Sequence, residues 1–248
     1  MARLVSLCPS LTETLFDLGA GDEVVGATKF CVHPAAGAEH VERVGGTKDP
    51  RVERIVALRP TLVLANEEEN RLEDVEALRS AGVPVHTSLP RRVADVPPLI
   101  RELGDVLGRP GRAEELALAV EEAALRAHEA AAMRSPRRVL VLIWRRPWMS
   151  ANADTFLSDL LATAGGRNAV GDRPERYPTL DLEEVRALDP DLVLLPSEPF
   201  PFKDAHVNEL VARTRIGRSR FLRCDGELLT WHGSRTAAGL SAASRWLA

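Results

Sequence analysis

Aromatic residues make up only 4% of this 248-residue chain, yet three of its four tryptophans fall in turns beside apolar runs: Trp144, Trp148 and Trp231. Phe30 and Phe200 occupy similar turns. Indole and phenyl faces are broad and stiff, and they suit stacking against a flat ligand. Cations stand nearby in the sequence: Lys29, Lys48, Arg145, Arg146 and Arg235. Ammonium and guanidinium groups pair with carboxylates or a phosphate on a ligand. They pair equally well with Glu67, Glu68 and Glu198 of the same turns, and the sequence leaves both uses open. Cys8, Pro9, Ser10 and Asn66 complete the candidate contact set, again at the ends of apolar runs.

Other chemistries have weaker support. Cys8, Cys31 and His33 carry two thiols and an imidazole, a donor set that zinc or another soft metal accepts. Their spacing matches no recognised ligand motif, and free cysteines are commonly small buried residues. No intrinsic metal or cofactor is therefore assigned. His33 or His232 is a candidate to coordinate a metal carried by the ligand itself. There is no G-x-S-x-G elbow, Walker loop, H-E-x-x-H or dinucleotide fingerprint, so no catalytic residue is assigned.

The elements that must position these residues come in duplicate. Residues 53–64 read ERIVALRPTLVL and residues 183–194 read EEVRALDPDLVL. Each is a short acidic-headed helix, a proline and an apolar run of strand length. The first helix–strand segments also match, residues 12–26 against 155–171. Alternating strands and helices in each half predict an α/β fold with mainly parallel sheets in two similar lobes. Residues 112–133 contain no Gly or Pro and are rich in Ala, Leu and Glu, which predicts one long rigid helix between the lobes. The expected divisions are an N-terminal lobe over 1–108, a backbone helix over 109–135 and a C-terminal lobe over 136–248. Turns at strand C-terminal ends would face a ligand cleft between the lobes. Ser10 reads as a helix N-cap with Glu13 completing a capping box.

The bulk numbers exclude several classes. Net charge is −4, without the Lys/Arg excess that nucleic acid demands. No stretch reaches the ~20 apolar residues of a membrane span. The N-terminus MARLVSLCPSLTETL has no basic region, long apolar core or cleavage site, which reads as a cytoplasmic chain. Three cysteines do not make a disulfide framework.

The order of these motifs resembles the cobalamin- and siderophore-type substrate-binding proteins of ABC importers, nearest to their cobalamin-binding branch. RLVSLCPSLTETLFDLGAGDEVVG, ERIVALRPTLVLA, the helix 112–133, DTFLSDLLATAGGRNAV and LEEVRALDPDLVLL carry the resemblance over nearly the whole chain. It implies a monomer that grips a corrinoid, or else a ferric siderophore or haem, between two lobes with limited hinge motion. It also implies a location outside the inner membrane and hand-over to a permease through one acidic residue on each lobe. The repeat puts Glu53 and Glu183 at equivalent places for that role. First-turn acids also favour the helix dipole without any partner. A cytoplasmic chelate chaperone, sensor or enzyme on the same fold is the alternative.

Overall fold

The computed structural model of the chain describes residues 2–248, which pack as two compact units. The first unit comprises residues 2–90, Ala94–Val120 and the four-residue segment His232–Arg235. Its elements run β1 (Leu4–Ser6), α1 (Pro9–Asp17), β2 (Val24–Ala27), α2 (Ala35–Ala38), β3 (Glu42–Arg43), α3 (Val52–Ala57), β4 (Leu62–Asn66), α4 (Leu72–Ser80), β5 (Val85–Ser88) and α5 (Val96–Val106). The first half of α6 (Pro110–Ala132) closes the unit. The strands form one parallel sheet in the order β3-β2-β1-β4-β5. Strands covered on both faces need apolar side chains on both, and β1 is buried at every residue. Val5, Leu7, Ile55, Val63 and Leu78 are buried in the core of this unit. Burying such side chains contributes about 1.5–3 kcal/mol each.

The second unit comprises Arg91–Val93, Glu121–Trp231 and Thr236–Ala248. After the second half of α6 come β6 (Arg137–Val141), β7 (Trp148–Met149), α7 (Phe156–Thr163), β8 (Gly166–Asn168), β9 (Thr179–Leu180), α8 (Leu182–Ala187), β10 (Leu192–Pro196), α9 (Asp204–Thr214), β11 (Phe221–Cys224), α10 (Gly226–Thr230) and α11 (Thr236–Leu247). The main sheet is again parallel, in the order β11-β10-β6-β8. Strands β8-β6-β10-β11 thus repeat the arrangement β2-β1-β4-β5 of the first unit. The two-lobed α/β architecture expected from the duplicated motif is what the chain adopts.

The repeat holds at residue level. Ile55 in α3 and Val185 in α8 are both fully buried. Pro60 and Pro190 are buried as well. The residue before each proline, Arg59 and Asp189, takes a left-handed backbone with φ of 48° and 40°. One local chain reversal is therefore used twice, between a helix and the central strand it feeds.

The long helix runs Pro110–Ala132 rather than 112–133. Proline opens a helix readily, because its missing N–H is not needed in the first turn. Ala113, Ala117, Val120, Ala123 and Ala127 are buried, the spacing of a single helix face. Gly104 of α5 lies against this face: a Cβ placed there would stand 2.1 Å from that of Ala113. Small residues on both helices permit the close approach.

Several local expectations are corrected. Ser10 is not an N-cap. Cys8 occupies that position with extended backbone, Pro9 takes the first turn, and Ser10 is buried inside α1. Glu13 makes no capping box and pairs instead with Arg235. The strand expected over 138–144 stops at Val141, and Trp144 bridges back to Met149. The short antiparallel pair β7–β9 and the helix α10 were not legible in the apolar pattern. No helix among the described residues is long and apolar enough to cross a membrane.

Candidate functional site

Parallel strands put all their C-terminal ends at one edge of a sheet, where open α/β sheets bind ligands. In the first unit that edge carries Cys8 after β1, Lys29 and Phe30 after β2, and Asn66 at the end of β4. Phe30 is 50% exposed, and the Lys29 ammonium lies 5.1 Å from its ring centroid. Lys48 is exposed, and its Nζ donates to the Glu68 carbonyl at 2.6 Å. Glu67 is exposed.

Three predicted contact residues of this edge are turned inward. Asn66 is buried, and its amide is saturated. Nδ2 donates to the Ser88 carbonyl and to His232 Nε2, at 3.0 and 3.2 Å. Oδ1 accepts the N–H groups of Glu68 and Glu69. This pattern fixes which end of the amide is which. His232 Nε2 is therefore an acceptor, and the lone pair it would offer a metal is engaged. Burial holds the His232 imidazole down at about 4, so the ring is neutral. Ser10 Oγ stands 3.4 Å from the same Nε2.

Cys8 is buried, and burial pushes its thiol up to about 12, with the Glu69 carboxylate adding to the effect. Burial also raises Cys31, whose sulfur is hydrogen-bonded by Thr12 at 3.0 Å and Thr28 at 3.1 Å. A thiol held protonated is a poor metal ligand. His33 adjoins Pro34 on the loop beyond Cys31. No group of three or more His, Cys, Asp or Glu suited to a metal occurs among the described residues.

Arg235 belongs to this unit through the segment His232–Arg235. Its guanidinium binds Glu13 bidentately, both bonds at 2.6 Å. The adjoining Gly233 has φ of 86°, and a Cβ on it would stand 2.2 Å from Thr14 Oγ1. Only glycine accommodates both the conformation and the contact.

The second unit gathers most of the aromatic surface. Trp144 follows β6 and is 42% exposed. Phe200, in the turn after β10, meets it edge-on with ring centroids 5.7 Å apart. Phe200 contacts Phe202 at 4.8 Å and His206 at 5.2 Å. Trp148 is buried and stacks on Phe202 at 6.2 Å with planes 7° apart. Arg145 lies 5.7 Å from the Trp148 ring and is ion-paired to Glu209 at 2.7 Å. The outer rings, Trp144 and Phe200, are thus backed by buried ones. Trp231 is set differently: it is buried, and its indole N–H donates to Glu198 at 2.6 Å. Phe202, His206 and Glu209 were not singled out in the sequence. The Pro199-Phe200-Pro201-Phe202 alternation was the available signal for the first of them.

Glu53 and Glu183 are both exposed in the first turns of α3 and α8. A depression of about 500 Å³ lies on the first unit beside β5 and α5, lined by His86, Ser88, Asp95, Leu99 and Glu102 among others. None of the predicted contact residues lines it. Its mixed acidic and aliphatic wall has no broad ring face, so the aromatic surface is the better candidate for a flat ligand.

Known proteins resemble this chain in sequence and in fold. A vitamin B12-binding protein of Yersinia pestis (strain Pestoides F) is 25% identical over 193 residues, which cover 78% of this chain and 69% of that protein. The apo periplasmic haem-binding protein RhuT from Roseiflexus sp. RS-1 superposes with a TM-score of 0.87 at 29% identity, covering 99% of this chain and 97% of that one. The periplasmic vitamin B12-binding protein BtuF of Vibrio cholerae shares the fold with a TM-score of 0.86 at 20% identity, covering 99% and 96%. The periplasmic binding protein model matches residues 4–215, and the chain belongs to that family.

Proposed function

We propose that this chain is the substrate-binding component of an ABC importer for a metal chelate of the corrinoid or haem kind. The observation that carries this reading is the exposed Trp144 ring with the half-buried Phe200 against it, backed by Phe202 and Trp148 and flanked by Arg145. Offset and edge-on aromatic contacts give a large contact area at little cost in side-chain freedom. Similarity to proteins named for vitamin B12 and haem supports the ligand class. Phe30 with Lys29 is the stacking candidate of the first unit, while Lys48, Glu67 and Glu198 supply polar contacts. The chelate is cargo and not a resident cofactor. The chain does no covalent chemistry on it.

Delivery to a permease uses Glu53 and Glu183, whose equivalent placement in the repeat suits two equivalent cationic sockets. On this reading the protein acts outside the inner membrane.

The test is titration of the purified protein with cyanocobalamin, hemin and a ferric siderophore, followed by tryptophan fluorescence corrected for ligand absorbance and by calorimetry. Saturable one-to-one binding that weakens at least tenfold in Trp144→Ala is the expected result. Absence of binding to all three probes would refute the reading.

A further inference from the structure

One polar group on the aromatic surface has a fixed hydrogen pattern. His206 lies in the first turn of α9, and its Nδ1 accepts the Lys203 backbone N–H at 2.9 Å. A ring nitrogen that accepts a hydrogen bond carries no hydrogen. The hydrogen of the neutral imidazole therefore sits on Nε2. Partial burial disfavours a second proton, and the nearby Arg145 and Lys203 cations act in the same direction, with Glu209 opposing them.

The ring is held in place by aromatic neighbours. Its centroid lies 5.2 Å from Phe200 and 5.8 Å from Phe202, nearly perpendicular to the latter at 86°. Phe200 is the ring that contacts the exposed Trp144. Nε2 lies across the ring from Nδ1 and so points away from the Lys203 N–H. No described group accepts from it, and it is not among the buried polar atoms that lack a partner. It is an accessible N–H donor of fixed tautomer within the candidate binding surface.

We infer that His206 is a specificity-determining residue whose Nε2–H donates to a carboxylate or amide oxygen on the rim of the bound chelate, and that it does not ligate the chelated metal. The inference rests on the importer reading above and adds a directed polar contact to its aromatic face. A metal bond through Nε2 would need the hydrogen moved to Nδ1, which would break the bond from Lys203 N–H.

Hemin and cyanocobalamin are the probes, with binding measured by calorimetry. His206→Glu keeps an acceptor for the Lys203 N–H and removes the donor. His206→Gln supplies both an acceptor and a donor. We expect His206→Glu to weaken binding of the better probe at least tenfold, and His206→Gln to stay within about threefold of the parent. Nitrogen-15 NMR of the ring should show the hydrogen on Nε2 in the free protein. If both variants bind like the parent while Trp144→Ala loses binding, the His206 inference fails and the importer reading stands. A histidine–iron absorption signature in the hemin complex that vanishes in His206→Gln would also overturn it. If neither probe binds the parent protein, the His206 inference falls, and the importer reading falls with it when the ferric siderophore also fails to bind.

Discussion

Arg235 and Glu13, 222 residues apart in sequence, meet as a bidentate ion pair with both bonds at 2.6 Å. Both side chains are largely sheltered, at 16% and 17% exposed. The pair fastens the returning segment His232–Arg235 onto α1. Its neighbours reinforce it: Ser234 N–H donates to Thr14 Oγ1 at 3.2 Å, and His232 is held by Asn66. We predict that Arg235→Ala lowers unfolding free energy by roughly 2–3 kcal/mol, somewhat below the range for a fully buried pair that loses one member. Urea unfolding of Arg235→Ala, Glu13→Gln and the double variant would show strong coupling. Additive single effects would mean that the pair is not a unit.

His232 makes stability pH-dependent in a definite window. Burial lowers its folded-state value from 6.5 to about 4. Between these values the unfolded chain binds a proton that the folded one refuses. Stability is therefore complete above pH 6.5 and falls as pH drops toward 4, by roughly 3 kcal/mol in all. His232→Gln retains a side chain that can meet Asn66 and cannot titrate. Denaturation at pH 7 and pH 4.5 should show a smaller loss in this variant than in the parent.

Trp144 and Trp231 separate binding from stability. Trp144 is 42% exposed, so Trp144→Ala should change unfolding free energy by less than about 1 kcal/mol while weakening chelate binding. Trp231→Phe removes the indole donor to Glu198 and should cost roughly 1.5–3 kcal/mol of stability. Thermal melts and calorimetry on both variants check the contrast.

Arg59 adopts φ of 48°, a region that costs a side-chain-bearing residue about 1 kcal/mol. Arg59→Gly is expected to leave stability unchanged or to raise it by a few tenths of a kcal/mol, since glycine's unfolded-state entropy offsets part of the gain. Arg59→Val should destabilise, because a β-branched residue fits that region worst.

Charge reversal at Glu53 and Glu183 should leave chelate affinity intact and abolish stimulation of permease ATPase in proteoliposomes. Loss of affinity in the soluble protein would instead tie these residues to folding or to ligand.

Much of this was readable from apolar runs. Strands β4 and β10 are buried on both faces, so their runs LVLA and LVLLP stand out with no tertiary information. The duplicated motif announced two similar sheets. Of the rings expected in turns at strand ends, Phe30 and Trp144 are exposed and Phe200 is half-buried. The inward turn of Asn66 was not legible, because its partners Ser88 and His232 lie 22 and 166 residues away. Ser10 looked like a cap by type and spacing, but Pro9 is as good a helix opener and moved the boundary. His206 reads as an ordinary helix residue until the Lys203 N–H and the Phe200 ring are seen around it.

The excursion of His232–Arg235 has a consequence for how the protein is made. Residues 2–120 leave the ribosome long before these four are synthesised. Until then Ser10, Thr14 and Asn66 lack partners that the native state supplies, and Glu13 lacks its guanidinium. Domains generally acquire structure as they emerge, N-terminal ones first. Here the strands of the N-terminal unit all precede Val120, while its surface is completed only by His232–Arg235. The N-terminal unit cannot be completed from N-terminal sequence alone.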